Sequence, residues 1–167
     1  MSEAGGRRTA IVTGGSGGIG LAIAEGLVGR GYDVVITARS EDRLRAAAER
    51  IGARYVVADG ASEVQMAAVM EAVDKVDLLV HSAGILKGTF LRKLSLDDLD
   101  QVLSANLRSA FVTTQAVLTK MPVGGRLIYI GSSASKEPMK GRTAYSASKA
   151  GLDAFAYALR REVSRDG

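Results

Sequence analysis

A tyrosine and a lysine stand four residues apart in the stretch "AYSASKAGL" (144–152), with only Ser146, Ala147 and Ser148 between them. In a helix that spacing stacks both side chains on one face, one turn apart. Leu152, Phe155, Ala156, Leu159 and Val163 recur behind them at helical intervals, so a helix is predicted from about 144 to 165. A phenol beside an ammonium is, in an arbitrary protein, most often an incidental pair. It is also the pair from which an acid ready to give up a proton can be made. The small residues between the two leave room for a cofactor or a neighbouring helix to approach. The rest of the chain decides between these readings.

The elements that would position the pair alternate in type along the whole chain. Strands rich in Val and Ile, without strict polar alternation, are expected at 9–13, 33–38, 54–58, 76–81 and 125–131. That composition suits strands buried on both faces. Helical patterns fill the gaps at about 18–30, 41–51 and 62–73, with a pair across 95–120. Ser62, three residues before Gln65, and Ser95, opening "SLDDL", carry N-cap signatures, while Gly31 and Gly52 stand where helices should stop. Repeated β-α-β units with right-handed crossovers make a mostly parallel, doubly wound α/β sheet with helices on both faces. Residues 1–8 read as a flexible N-terminus and 9–167 as one dinucleotide-binding domain, with no linker, repeat or low-complexity tract.

Between the first strand and the first helix lies "TGGSGGIG" (13–20). It reads in two registers: as GxGxxG through Gly15, Gly17 and Gly20, or as TGxxxGIG through Gly14, Gly18 and Gly20. Both meet one physical demand, a tight turn whose backbone can approach a pyrophosphate in front of a helix N-terminus. The position after the first strand is where a dinucleotide fingerprint belongs. About 18 residues beyond Gly20, where a carboxylate would bind the adenosine ribose of NAD, the chain has Ala38 and then Arg39. The missing carboxylate removes repulsion against a 2′-phosphate, and a guanidinium offers that phosphate a charge-assisted partner. NADP(H) is therefore expected in preference to NAD(H). The plainer reading of Arg39 is a solvated residue ahead of the helix that starts at Ser40.

With the glycine loop, an "AG" after the fourth strand, an asparagine in the following long helix, and serine ahead of Tyr-x-x-x-Lys, the sequence resembles the short-chain dehydrogenase/reductase family. The likeness runs from "TAIVTGGSGGIG" through "VDLLVHSAG", "SANLRSAF" and "GRLIYIGSS" to "AYSASKAG". It implies a Rossmann-type fold and a nicotinamide cofactor. By that resemblance Tyr145 is the catalytic acid/base, Lys149 its partner, Ser132 the hydroxyl that holds the substrate carbonyl, and Asn106 the helix asparagine of a proton relay. Ser132, 13 residues before Tyr145, fits the family interval better than its neighbour Ser133. The resemblance also places the cofactor against Gly14, Ser16, Gly18, Ile19, Gly20, Asp59, Ala83 and Gly84, together with Arg39, Tyr145 and Lys149. The frequent "NNAG" of the family is "HSAG" here, so His81 and Ser82 replace two asparagines. His81, closing a buried strand, reads as a structural hydrogen-bonding residue.

These residue types suit carbonyl reduction, in which hydride reaches carbon and a proton reaches the oxygen where negative charge develops. A free tyrosine titrates near pH 10, and a lysine ammonium one turn away favours the phenolate. The ammonium has three donors, enough to hold a nicotinamide-ribose hydroxyl as well. Ser132 supplies an oxyanion-type contact. An amide inside a helix, as at Asn106, is expected to bond back along the helix or to distort it, and the resemblance implies that a carbonyl so freed holds a water that reaches Lys149. The substrate expected is a small carbonyl compound, a ketone or a 3-oxoacyl thioester.

Composition narrows the remaining classes. With 47% hydrophobic and 24% charged residues the chain reads as an ordinary soluble globular protein. No apolar run approaches the ~18 residues of a membrane span. Zero cysteines exclude disulfides and thiol chemistry and agree with a cytoplasmic location, and a lone histidine argues against a His-based metal site. The net charge of +4 is scattered and poor in aromatic company, which argues against nucleic acid. The stretch "KEPMKGR" (136–142), with Lys136, Lys140 and Arg142, reads as a solvated loop, with an anionic acyl carrier as the other reading. The chain stops at "REVSRDG" (161–167), whereas the resemblance implies two further strands, a Pro-Gly loop and a lid over the substrate. One strand edge and part of a helix face are then expected to lack cover, which favours a homo-oligomer. The competing function is a nucleotide-binding or assembly module without turnover.

Overall fold

The computed structural model describes residues 6–163. Five parallel strands, β1 (Thr9–Thr13), β2 (Asp33–Ala38), β3 (Arg54–Val57), β4 (Leu78–His81) and β5 (Arg126–Tyr129), form one sheet in the order β3-β2-β1-β4-β5. Six helices cover it: α1 (Gly18–Val28), α2 (Glu41–Ile51), α3 (Glu63–Glu71), α4 (Leu96–Leu103), α5 (Ser109–Leu118) and α6 (Thr143–Val163). The expected doubly wound, Rossmann-type architecture is the one found. Residues 1–5 of the N-terminal segment and the chain beyond Val163, including the expected end of the last helix, lie outside the described residues. Within the first eight residues, the Arg8 carbonyl accepts the Asp33 N–H at 2.9 Å and its guanidinium lies 4.5 Å from the Tyr32 ring centre.

Side-chain alternation along the central strands divides the core in two. Val12, Val34, Ile36 and Val80 pack with Ala24 of α1 and Leu44 of α2. Ile11, Val35 and Leu79 point the other way, onto Met66 and Val69 of α3 and Val112 of α5. Each such side chain contributes roughly 1.5–3 kcal/mol by leaving water. The chain winds outward on both sides of β1, so its carboxyl end and that of β4 border the crevice where a doubly wound sheet opens toward ligands.

Three local expectations change. β3 and β5 are the sheet edges and carry exposed residues, Val57 and Ile128 among them, so the double burial expected of every strand holds only for the inner three. The pattern across 95–120 is interrupted by a π-helical turn, Ser104–Arg108, between α4 and α5. The Ser62 cap is half of a capping box: Ser62 Oγ accepts the Gln65 N–H at 3.4 Å, but Gln65 Oε1 accepts the N–H of Asp59 at 2.7 Å. Ser95 caps α4 as expected, accepting from the Asp98 N–H at 3.1 Å. Gly52 closes α2 in the left-handed region, at φ 70°.

Candidate active site

The glycine loop follows β1 and turns into α1, and glycines of both registers are held where a side chain would not fit. Gly14 and Gly18 have φ of 69° and 55°, the left-handed region that favours glycine. A Cβ on Gly20 would stand 2.5 Å from the Gly14 carbonyl oxygen, so α1 packs against the loop only without one. These are the glycines of TGxxxGIG; Gly15 of the other register is also tightly placed, since a Cβ there would stand 2.6 Å from Ile36 Cβ. Gly17, of the other register, has an extended backbone that any residue adopts.

The loop forms one wall of a cleft of about 930 Å³. Gly14, Ser16, Gly18, Ile19 and Gly20 all line it. At one end the wall is completed by Arg39, Ser40, Arg43 and Asp59. Toward the other end come Ala83 and Gly84 after β4, then Tyr145 and Lys149 of α6. Every residue expected to touch the cofactor thus lies on one surface, although the segments that supply them are far apart in sequence. The cleft has the size of a small-molecule or cofactor site, and its cradle closes where Cβ atoms would fill it, beside Ala83 and at Gly20.

Lys149 Nζ lies 6.0 Å from the Tyr145 ring centre and donates to the Ile130 carbonyl at 2.8 Å. Burial lowers the Lys149 pKa, and the Asp153 carboxylate one turn on partly opposes that shift. Asn106 is fully buried in the π turn rather than on the cleft wall. Its Oδ1 accepts the Ile85 N–H at 2.7 Å, and its Nδ2 donates to the Ile85 carbonyl and to Ser148 Oγ, each at 2.9 Å. The helix is distorted at this asparagine as expected, but the amide reaches across to another segment instead of bonding back along its own helix. Ser132 Oγ accepts the Ala134 N–H at 3.2 Å, capping a 3-10 turn, and Ser132 is not among the cleft-lining residues. Of the four residues, Tyr145 and Lys149 line the cleft, Asn106 is buried in the π turn, and Ser132 is partly exposed and directly follows Gly131 of the cleft lining.

The sequence of residues 8–167 matches the family model for short chain dehydrogenase. The chain belongs to that family. It is 37% identical to the acetoacetyl-CoA reductase of an Acinetobacter species, over 99% of this chain and 71% of the relative. It is 38% identical to the 3-oxoacyl-[acyl-carrier-protein] reductase FabG of Salmonella typhimurium, over 96% of this chain and 69% of the relative. Among solved structures, a variant of actinorhodin polyketide ketoreductase with NADPH superposes with a TM-score of 0.90 at 32% identity, covering 95% of this chain and 66% of that one. BdcA in complex with NADPH gives 0.88, also at 32% identity and with the same coverage. The chain thus spans about two thirds of the solved structures it matches.

In this short-chain dehydrogenase the structure adds residues to the site that sequence reasoning passed over. Arg43, in the first turn of α2, places NH2 3.4 Å from where a Gly17 Cβ would be, bringing a second guanidinium beside Arg39. None of the ion pairs among the described residues uses either arginine. A cation in the first helical turn opposes the helix dipole, a sign readable in sequence that something else calls for it. Ser148, one of the small residues between Tyr145 and Lys149, is fully buried and holds Asn106. Thr13 Oγ1 accepts the Ala83 N–H at 3.2 Å, pinning the segment after β4 to the end of β1. His81 is buried between Thr13 and Ser109, and burial, then the Lys149 charge, lowers its pKa to about 4. Among the described residues no group of acidic, His or Cys side chains could hold a metal, and no helix is long and apolar enough to cross a membrane.

Proposed function

We propose that this chain binds NADP(H) and carries the acid–base machinery of a carbonyl reductase acting on a small ketone or a 3-oxoacyl thioester. The observation that carries the reading is the meeting of Tyr145 and Lys149 with the glycine loop, Ala83 and Gly84 on one cleft. Bound there, the reduced nicotinamide supplies the hydride. The Tyr145 hydroxyl gives its proton to the substrate oxygen, and the Lys149 ammonium stabilises the phenolate left behind. Lys149 spends one donor on the Ile130 carbonyl and keeps two, enough for a ribose hydroxyl and a proton-carrying water. Ser132 keeps its own hydroxyl proton while accepting from Ala134, and that proton is the one available to a substrate oxygen. Asn106 holds the distorted turn from which a freed carbonyl would order the relay water.

At the far end, Arg39 and Arg43 supply the guanidinium pair for a 2′-phosphate, with no acidic partner among the described residues competing for either. Asp59 meets the adenine. The thioester class is supported by likeness to relatives named for acetoacetyl-CoA and 3-oxoacyl carrier-protein substrates. A cytoplasmic homo-oligomer completes the reading: Phe111 and Ile128 stay exposed on a helix face and on the edge strand, surfaces that association would cover.

The test is to mix the purified chain with NADPH and a panel of ketones and 3-oxoacyl thioesters, follow the loss of NADPH absorbance, and measure the assembly mass. Oxidation with at least one carbonyl class supports the reading. NADPH binding without turnover of any of them favours instead a nucleotide-binding module.

A further inference from the structure

His81 lies at the end of β4, 1% exposed, with both ring nitrogens engaged. Nδ1 is 3.1 Å from Thr13 Oγ1 on β1, and Nε2 is 3.2 Å from Ser109 Oγ on α5. The neighbouring bonds settle where the protons are. Ser109 Oγ donates its only proton to the Ala105 carbonyl at 2.7 Å, so it can only accept from His81. Nε2 therefore carries the proton and Nδ1 the lone pair. Thr13 Oγ1, which accepts the Ala83 N–H, donates to that lone pair. The bonds run one way from Ala83 through Thr13, His81 and Ser109 to Ala105, with every buried donor and acceptor in the run satisfied.

The two ends of this run are functional surfaces under the reading proposed above. Ala83 and Ala105 both line the cleft. Ala105 belongs to the π turn that carries Asn106. In that turn the Ser109 N–H reaches the Ser104 carbonyl, five residues back, so the Ser109 hydroxyl rather than its amide covers Ala105. An α-helical register would return the Ser109 amide to Ala105 and rotate Asn106 away from Ile85.

We propose that His81, held as the neutral Nε2–H tautomer, is a positioning residue that locks the π register of Ser104–Arg108, and with it Asn106, to the segment after β4 that lines the cofactor cleft. A buried histidine that merely fills space would leave the tautomer and the register uncoupled. Here a proton on Nδ1 would leave the Nε2 lone pair facing a Ser109 oxygen whose only proton is already given to the Ala105 carbonyl.

Because His81 is the lone histidine, nitrogen-15 labelling of histidine gives one pair of ring signals, and long-range proton correlation reads which nitrogen is protonated. The expected result is Nε2–H at neutral pH; Nδ1–H, or a mixture of tautomers, overturns the proposal. Amide exchange supplies the second readout. Asn106 Oδ1 accepts the Ile85 N–H, so His81→Leu and Ser109→Ala should each speed exchange at Ile85 by about tenfold or more, the scale of one lost hydrogen bond. The β1 and β2 core amides should move less. Ile85 exchange unchanged in Ser109→Ala, or accelerated only in step with the whole core, also overturns it. His81→Gln, which retains an amide N–H near the Nε2 position, should restore part of the Ile85 protection. If His81→Leu does not fold, Ser109→Ala and the wild-type tautomer still decide. Neither readout depends on turnover: failure to reduce any carbonyl would refute the proposed function and leave this coupling standing.

Discussion

Asn106 Nδ2 donates to Ser148 Oγ at 2.9 Å, joining the π turn to α6 between Tyr145 and Lys149. Ser148 in turn donates to the Tyr145 carbonyl at 2.7 Å. The face that presents phenol and ammonium to the cleft is thereby fixed from behind by the same asparagine that grips Ile85. Replacing Ser148 by alanine removes a buried partner of Asn106 and should cost about 1–2 kcal/mol. In thermal unfolding this is a Tm lower by roughly 2–8 °C for a chain of this size. An unchanged Tm would mean that the bond is not maintained in solution.

The arginine pair gives the cofactor prediction. A charge-assisted bond to a 2′-phosphate is worth about 1.5–3 kcal/mol, so Arg39→Ala and Arg43→Ala should each weaken NADPH binding roughly ten- to a hundredfold. NADH lacks the phosphate, and its affinity should hardly change. Fluorescence titration of both reduced cofactors against the three proteins checks this. Tighter NADH than NADPH binding in the wild type would end the preference. Equal losses for both cofactors would move the arginines away from the phosphate.

Gly14 combines a positive φ with a site where a Cβ would stand 2.9 Å from the Ala83 backbone. Gly14→Ala has to strain or shift the loop, a cost on the order of 1–3 kcal/mol. Because Ala83 is itself part of the cleft, cofactor affinity should fall by tenfold or more, and more steeply than stability. Titration calorimetry beside thermal unfolding separates the two.

Burial depresses the His81 pKa from 6.5 to about 4, which links stability to pH. Below pH 6.5 the unfolded chain takes up a proton that the folded chain refuses, so the stability tied to neutral His81 is present above 6.5 and lost as pH falls through 4. The full loss is on the order of 3 kcal/mol. The groups facing the ring are the Thr13 and Ser109 hydroxyls, the Tyr129 ring at 6.1 Å and the Lys149 ammonium, whose charge adds to the effect. Denaturant unfolding from pH 7 to 4 should fall more steeply for wild type than for His81→Gln. Parallel curves would contradict the assignment.

The parts of the site visible in sequence are those encoded by local chemistry. The glycine loop announces itself because a positive φ and a close approach demand glycine where they occur, and Tyr145 and Lys149 because one helical turn aligns them. The π turn at Asn106 was legible only as an expected distortion. Its form depends on Ile85, Ser148 and the His81–Ser109 bond, partners scattered through the chain. The edge position of β3 and β5 follows from strand order, which "RYVVA" and "GRLIYIG" do not reveal, since each carries two β-branched residues, as the inner "VDLLVH" does. Arg43 escaped notice for a related reason. Its reach to Gly17 is set by how α2 packs beside the loop.

The central claim is that Tyr145 supplies the proton. Purified wild type and Tyr145→Phe should be compared for NADPH oxidation with the best carbonyl substrate and for NADPH affinity. The account predicts turnover reduced by roughly 10²–10⁴-fold or to background, the scale of a lost general acid, with the cofactor dissociation constant changed by only a few fold. Substantial turnover in the phenylalanine variant would contradict it.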